Sequence, residues 1–284
     1  MSSIFTRIYA EPWEYYSLLD AGGGKKLERF ADVITIRPDL QAYFQSEKPF
    51  SEWNKIAHAE FVQSGKQNGK WKKLKKDLPD NWTMPFGKIN VQLEFTKFKH
   101  IGIFPEQAEN WRFIKDNLQE GQKFLNLFAY TGMASLVAKQ CGADVTHVDA
   151  VKQLISWSKL NMEKSYLNDI RWVLEDALKF AQREVKRGNK YDGIIMDPPA
   201  YGLGAKGEQW ILEQQLPVLM ETVAQLLAPN GFLILNTYSP KVSNDEIQKL
   251  AQRYFPKKKI EVNELWLQAQ TEKDLYVGNL LRVK

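Results

Sequence analysis

A regular alternation of apolar runs and helical segments after about His100 restricts the fold more than any other feature of the sequence. Residues 123–127 and 145–148 are predicted strands, and residues 131–141 between them have a helical pattern closed by Gly142. Because parallel neighbours need a helical crossover, this order predicts a mainly parallel sheet with helices on both faces. The series continues with strands at 170–174, 194–196 and 232–236 and helices at 151–164, 177–186 and 214–227.

The two ends of the chain depart from this alternation. The runs 260–267 and 276–283 are separated only by a polar loop, which predicts a hairpin that adds an antiparallel edge to the sheet. Short β-prone runs at 33–37 and 89–95, interrupted by glycines and prolines, predict a small β-rich domain before the alternating region. We therefore expect an α/β protein with a small domain over residues 1–100 and a Rossmann-like domain over residues 101–284.

One stretch of the small domain combines positive charge with an aromatic side chain. Trp71 is surrounded by Lys66, Lys70, Lys72, Lys73, Lys75 and Lys76. Such a stretch can bind nucleic acid through phosphate contacts and base stacking, or it can be a solvated loop. A net charge of +5 fits a polyanionic partner such as RNA without requiring one.

Composition excludes several other classes of protein. The single cysteine, Cys141, rules out an internal disulfide framework, and the three scattered histidines lack the spacing of a zinc site. No run of about 18 apolar residues suggests a membrane span. We expect a soluble, cytoplasmic protein without a metal, and the sequence leaves the oligomeric state open.

Three loops are predicted to meet at the carboxyl ends of the parallel strands, where open α/β sheets bind their ligands. In the second loop, Asp149 and the adjacent Ala150 follow a strand, so the carboxylate can accept both ribose hydroxyls. In the third loop, Asp176 and Ala177 are placed to meet an adenine edge. The first loop, whose small residues let the backbone approach a ligand, comprises Asn126, Leu127, Phe128, Ala129, Tyr130, Thr131 and Gly132.

The glycine content of the first loop favours S-adenosylmethionine over a dinucleotide. A pyrophosphate requires the amides exposed by G-x-G-x-x-G, whereas Gly132 is the loop's single glycine. S-adenosylmethionine carries no phosphate, so one glycine among small residues suffices. The alternative is structural: Gly132 lets a helix pack on the sheet, and Asp149 caps the next helix.

A candidate acceptor site follows the fourth parallel strand. Asp197 precedes Pro198 and Pro199, which fix the backbone and remove two amide donors, so the carboxylate and neighbouring carbonyls can project as acceptors. This arrangement suits a planar nitrogen base, with Tyr201 stacking or hydrogen bonding beside it. The alternative is a simple turn that ends the strand.

These motifs, in this order and spacing, resemble the bacterial 23S ribosomal RNA methyltransferase-like family. The resemblance rests on residues 98–107, the 126–132 loop, Asp149, Asp176 with Ala177 and the Asp197-Pro198-Pro199 run; residues 16–20 and 26–30 also resemble the small domain of one branch. It implies a class I methyltransferase fold that binds S-adenosylmethionine. It also implies that the segment from Phe104 to Gln107 covers the cofactor, and Trp111 is a candidate to join it.

One departure from the family bears on mechanism. Members that methylate C5 of cytosine use a cysteine after the fifth strand, and residues 236–240 contain none. Cys141 is expected in the core, far from the cofactor loop. We therefore predict direct displacement onto a base of ribosomal RNA, with Asp197 orienting the acceptor and Tyr201 nearby. Methylation of a protein or small molecule, and a non-catalytic RNA-binding protein that retains the cofactor site, remain alternatives.

Overall fold

The computed structural model describes residues 5–65, 68–203 and 209–284. Two compact units divide the chain. The first comprises Met1–Ile8, Asn110–Leu265 and Gly278–Lys284, and the second comprises Tyr9–Glu109 and Trp266–Val277.

The helices and strands alternate after residue 108 much as the sequence predicts. The described strands are β1 (Thr6–Ala10), β2 (Tyr16–Gly22), β3 (Lys25–Phe30), β4 (Val33–Pro38), β5 (Ala59–Ser64), β6 (Asn68–Lys73), β7 (Asn81–Phe86), β8 (Ile89–Glu94), β9 (Lys123–Leu127), β10 (Asp144–Asp149), β11 (Ile170–Leu174), β12 (Tyr191–Met196), β13 (Tyr201–Leu203), β14 (Gln209–Ile211), β15 (Leu227–Thr237), β16 (Ile260–Leu267) and β17 (Leu275–Val283). The helices are α1 (Phe50–Ile56), α2 (Ala108–Asn117), α3 (Met133–Gln140), α4 (Lys152–Lys164), α5 (Ala177–Lys186), α6 (Leu212–Leu226) and α7 (Asn244–Tyr254), and a 3-10 turn occupies Pro105–Gln107.

The main sheet has eight strands in the order β1-β16-β17-β15-β12-β9-β10-β11. Five consecutive strands, β15, β12, β9, β10 and the edge strand β11, are parallel. Strand β17 runs antiparallel to β15. The predicted α/β fold with antiparallel C-terminal strands is confirmed, but the outer edge is β1 rather than the C-terminal hairpin.

One hydrophobic core packs helices against this sheet. Alternate residues of the central strands, such as Leu125 and Leu127 of β9, point to one face because side chains of a strand have a period of two. Phe180 of α5, Leu219 of α6 and Ile247 of α7 belong to the same buried cluster. This packing fixes the strand ends that carry the site.

The second unit contains a five-stranded sheet in the order β2-β3-β4-β5-β6 and the separate hairpin β7-β8. Asp20, at the end of a segment that resembles the family's small domain, is fully buried and accepts hydrogen bonds from Trp53 Nε1 and the amides of Ala21, Glu47 and Lys48. A buried carboxylate is tolerated where donors surround it. Asp20 therefore anchors the connection from β4 to α1.

The units divide the chain differently from the expected boundary between residues 100 and 101. Strand β1, expected in the small domain, neighbours β16 in the main sheet. The loop after β16 belongs to the second unit, where Gln270 donates its amide to Leu18 O at 2.8 Å. The place of β1 in the main sheet and that of the loop after β16 in the second unit both depend on pairing between distant parts of the chain. Local sequence patterns therefore do not indicate them.

Candidate functional site

Strand register brings the predicted cofactor and acceptor loops to one edge of the sheet. Leu127 at the end of β9 pairs with Met196 at the end of β12 and with Val148 of β10. Phe128 and Asp197 therefore leave the sheet side by side. Asp149 pairs in turn with Leu174 at the end of β11. All three predicted cofactor loops and the Asp197 loop consequently start at the carboxyl ends of adjacent parallel strands, where such sheets bind ligands.

The first of these loops, residues 126–132 after β9, is termed the cofactor loop and has an unusual backbone. Phe128, Tyr130 and Gly132 have φ angles of 57°, 51° and 90°, all in the left-handed region. For the two aromatic residues this conformation costs about 1–2 kcal/mol each, so other interactions must hold it. The amide of Ala129 donates to Val148 O at 3.1 Å, and the amide of Tyr130 donates to Asp149 Oδ2 at 2.9 Å. No sequence pattern predicts left-handed aromatic residues in this loop.

Gly132 serves the packing of a helix as well as the turn. A Cβ at this position would lie 3.1 Å from the Ser158 side chain and 3.4 Å from His147 Cε1. The glycine thus meets α4 and β10, and its backbone caps the start of α3. These contacts match the alternative stated from the sequence, in which Gly132 lets a helix pack on the sheet.

Asp149 is a nearly buried carboxylate held by backbone amides. Its side chain accepts hydrogen bonds from the amides of Tyr130 and Val151, both at 2.9 Å. Burial raises its pKa above the usual aspartate value, while hydrogen bonds from Val151, Tyr130 and Ala150 oppose that shift. Each carboxylate oxygen has a further lone pair, so the group can still accept hydrogen bonds from a diol.

A buried polar network supports the cofactor loop from below. Asn126 Nδ2 donates to Ser135 Oγ at 2.9 Å, and Ser135 Oγ lies 3.0 Å from His147 Nδ1. His147 Nε2 lies 3.4 Å from Ser158 Oγ, which donates to Tyr130 O at 2.9 Å. Asn126, predicted to contact the cofactor, is buried within this network. Burial lowers the pKa of His147 to about 3, so the imidazole is neutral at physiological pH.

A neutral imidazole can use both ring nitrogens in this network. If Nε2 carries the proton, Ser135 donates to Nδ1 and Ser158 accepts a hydrogen bond from Nε2–H, while the Ser158 hydroxyl lies within donating distance of Tyr130 O and of Leu154 O. Asn161 Nδ2 holds the next carbonyl, that of Thr131, at 3.0 Å. No sequence pattern indicates these supporting residues, because their polar side chains become neighbours only when β9, β10, α3 and α4 pack together.

Apolar side chains are exposed beside Asp149. Val151 and Leu174 are 45% and 54% exposed, although both follow or end strands of the core. Asp176, predicted to meet adenine, caps α5 by accepting the Lys179 amide at 2.9 Å, and Ala177 is buried in the first turn. The capping bond uses one oxygen of Asp176. The exposed pair offers a flat apolar surface of the kind that an adenine ring covers.

The loop after β12 that begins with Asp197, termed the acceptor loop, is held in place by hydrogen bonds to its backbone carbonyls. Pro199 O accepts a hydrogen bond from Trp210 Nε1 at 2.7 Å, and Ala200 O accepts one from the Leu212 amide at 3.1 Å. The expectation that neighbouring carbonyls project toward a ligand is therefore wrong for these two. Asp197 is half-buried at the end of β12, Pro198 is buried, and Tyr201 is 54% exposed at the start of β13.

Other predicted site residues lie elsewhere. Phe104 precedes the 3-10 turn of the second unit and its ring lies 5.1 Å from that of His100, and Gln107 is buried in the same turn. Trp111 is a buried residue of α2 in the first unit. Their predicted part in covering the cofactor stays a prediction.

The basic stretch forms edge strand β6 and the turn that follows; Lys66 lies outside the described residues. Trp71 is half-buried, donates to Phe98 O at 3.0 Å and packs its ring against Phe61 and Phe95. Lys73 pairs with Asp80 at 2.8 Å, and Lys75 donates to Lys55 O. Among the described lysines of the stretch, Lys70, Lys72 and Lys76 are exposed on β6 and in the turn after it.

Three further observations concern the expected chemistry. Cys141 is half-buried at the C-terminal cap of α3 rather than within the core, and burial raises its thiol pKa. Across residues 5–65, 68–203 and 209–284, no group of three His, Cys, Asp or Glu side chains could hold a metal ion. Within the same residues, no helix is sufficiently long and apolar to cross a membrane.

A family model of S-adenosylmethionine-dependent methyltransferases matches residues 66–265. This chain belongs to that family. A methyltransferase of Agrobacterium tumefaciens of known structure is 33% identical, with a TM-score of 0.92 over 100% of this chain and 94% of the other. The SMU.776 structure, complexed with SAH, has a TM-score of 0.75 over 95% of this chain and 75% of the other at 19% identity, which shows the shared fold alone.

Curated relatives carry a more specific name. "Ribosomal RNA large subunit methyltransferase K/L" of Syntrophotalea carbinolica is 32% identical over 157 residues, which are 54% of this chain and 22% of the relative. The protein of the same name from Desulfotalea psychrophila is 34% identical over 59% of this chain and 23% of its own length. This chain thus spans about a quarter of these relatives. The family resemblance drawn from the sequence motifs is confirmed.

Proposed function

We propose that the protein transfers a methyl group from S-adenosylmethionine to a base of ribosomal RNA by direct displacement, without a covalent enzyme intermediate. The observation that carries this proposal is the register of β9 and β12, which starts the cofactor loop and the Asp197 loop side by side. A donor held by one loop and a planar acceptor held by the other would meet with little motion, and such positioning supplies much of the catalysis in group transfer.

The described residues fit the proposed cofactor. Asp149 would accept the ribose hydroxyls while its backbone bonds fix its orientation. Val151 and Leu174 would cover the adenine faces, with Asp176 and the backbone of Ala177 at its edge. The loop from Phe128 to Gly132, with its left-handed residues, would lie along the remaining part of the cofactor. Bound there, S-adenosylmethionine supplies a methyl carbon activated by a sulfonium.

Asp197 and Tyr201 would act on the acceptor. In this proposal, Asp197 orients the base through hydrogen bonds to its polar edge and takes up the proton released after the acceptor atom has gained the methyl group. The exposed ring of Tyr201 stacks on the base or bonds its edge. No thiol takes part, because residues 236–240 contain no cysteine and Cys141 follows α3, at the opposite end of that helix from Gly132.

Ribosomal RNA is proposed as the substrate for two reasons. The curated relatives are named as large-subunit ribosomal RNA methyltransferases. In addition, Lys70, Lys72 and Lys76 present exposed positive charge along and after edge strand β6. Such charges bind phosphates without selecting a sequence, so base selection would belong to the Asp197 loop.

The proposal is tested by mapping modified nucleotides in ribosomal RNA by mass spectrometry, from cells with and without the gene. We expect one nucleotide to lose the mass of a methyl group when the gene is absent. Purified protein should restore that methyl group on the unmodified RNA with S-adenosylmethionine. Identical maps from the two cells, together with no transfer in vitro, would reject ribosomal RNA as the substrate.

A matched pair of variants assigns the chemistry. Asp197→Asn should lower turnover about 100-fold or more, as loss of a positioned acid or base does, with unchanged cofactor affinity. Asp192→Asn is the control, because Asp192 lies at the opposite end of the same strand, where it accepts the Lys123 amide at 2.9 Å. Equal turnover by the two variants would show that Asp197 has no direct part.

A further inference from the structure

We propose that Trp210 is a positioning residue that couples occupancy of the cofactor loop to the geometry of the acceptor loop. The inference rests on the proposed function for the identity of the two ligands. Its structural basis is that one indole contacts both loops: the ring packs on Phe128, and the ring N–H donates to Pro199 O.

The contact with the acceptor loop is short and buried. Trp210 is 8% exposed, and its Nε1 lies 2.7 Å from Pro199 O. Pro198 and Pro199 have no amide hydrogen, so this part of the loop cannot be fixed by its own N–H groups. Its carbonyls therefore attach it to the rest of the unit, and Trp210 donates to the carbonyl of the second proline, Pro199. A shift of the indole would therefore move the backbone next to Asp197 and Tyr201.

The contact with the cofactor loop involves its first left-handed residue. The rings of Trp210 and Phe128 are 4.9 Å apart and inclined at 58°. Phe128 has φ 57°, and Tyr130, two residues later, donates its amide to Asp149. A ligand that engages Asp149 and this loop acts on a strained backbone whose first side chain rests on the indole.

A purely structural indole would also be buried and would also need a partner for its N–H. The two interpretations differ in one respect. Coupling requires that a ligand at the cofactor loop change the environment of the acceptor loop through Trp210, and that the reverse effect be equally large. A packing role predicts that any change at the acceptor loop when the cofactor loop is occupied does not depend on the Trp210 N–H.

The experiment follows backbone amide resonances of ¹⁵N-labelled protein during titration with S-adenosylhomocysteine. In the wild type, the amides of Ala200, Tyr201 and Gly202 should shift together with those of Tyr130 and Thr131 and saturate at the same ligand concentration. Trp210→Phe keeps a ring against Phe128 but removes the N–H. In this variant, the shifts at 200–202 should fall at least twofold, while those at Tyr130 and Thr131 and the affinity for the ligand stay near wild type.

Trp157→Phe, the same replacement on α4, is the control and should leave every shift unchanged. If the resonances of residues 200–202 do not move in the wild type, the coupling is overturned. It is also overturned if they move as far in Trp210→Phe as in the wild type. Failure of the wild type to bind S-adenosylhomocysteine is a separate outcome that would remove the proposed function and the coupling with it. If S-adenosylhomocysteine binds but the resonances of residues 200–202 do not change, only the coupling is rejected.

Discussion

At the scale of single residues, the site contains two buried titratable groups, Asp149 and His147, whose charged forms burial disfavours. Burial raises the pKa of Asp149, and hydrogen bonds from three backbone amides oppose that shift. His147, in contrast, is held neutral by burial, which lowers its pKa to about 3. In the proposed function Asp149 meets the ligand and His147 supports the loop beside it; the two residues lie two positions apart on β10.

Asp149→Ala should weaken binding of S-adenosylhomocysteine by about 2–4 kcal/mol, a factor of roughly 30 to 1000, because two charge-assisted hydrogen bonds are lost. Calorimetry measures the change. Since Asp149 also holds the Tyr130 amide, the 2′-deoxy analogue of the ligand separates the two effects. Loss of the hydroxyl should weaken binding to the wild type and have little effect on the variant. Equal losses in both proteins would place the ribose elsewhere.

His147→Gln should reduce the acid sensitivity of the fold. The folded-state pKa of His147 is about 3, below its unfolded value, so unfolding takes up a proton as the pH falls and the histidine's contribution to stability is lost. Between pH 7 and 5 this loss amounts to about 2 kcal/mol in the wild type. Denaturant unfolding at both pH values should show a smaller loss in the variant, and an unchanged pH dependence would contradict the assignment.

Sequence reasoning located single residues less well than it located the loops that contain them. Asp149 and Asp197 stand at predicted strand ends, and Gly132 stands at the start of a predicted helix, because these boundaries follow from a local pattern. The partners of these residues come from other elements. Trp210 reaches Pro199 through the pairing of β13 with β14, and His147 reaches Ser135 through the packing of α3 on β10, so neither was foreseen.

At the scale of elements, prediction succeeded where packing and propensity agree. Strands β9, β11 and β16 and helix α5 have the predicted bounds, because apolar periodicity and flanking breakers coincide there. The hairpin β13-β14 was missed, since three-residue strands carry no periodic signal. The pairing of strand β1 with β16 was not predicted, because the two strands are remote in sequence.

Strand β6 gives an element-level prediction for RNA binding. Replacing Lys70, Lys72 and Lys76 together with glutamine should reduce the slope of log affinity against log salt by about 2 to 3, because each lost phosphate contact contributes about 0.7 to 0.9. Cofactor affinity should be unchanged. The control replaces Lys159, Lys186 and Lys249, which are exposed on helices α4, α5 and α7. If both triple variants retain the wild-type slope, β6 is only a solvated edge whose lysines discourage strand pairing.

At the scale of the whole molecule, neither unit is one continuous piece of chain. A fragment of residues 101–284 lacks β1 and would leave β16 as an uncovered edge strand. We expect this fragment to self-associate, because an open edge pairs with other chains. Size-exclusion chromatography alongside the full chain measures the effect. A monomeric, folded fragment would show that β1 is dispensable.

The pairing of β1 with β16 also has a consequence for the order of folding. The two strands are separated by about 250 residues, so β1 emerges from the ribosome long before its neighbour exists. The parallel strands β9 to β12 can assemble in the meantime, but the main sheet gains its last strand only after β16 has been synthesised. Closing so long a loop is slow, and until then β1 is an unpaired strand that chaperones or another chain could bind.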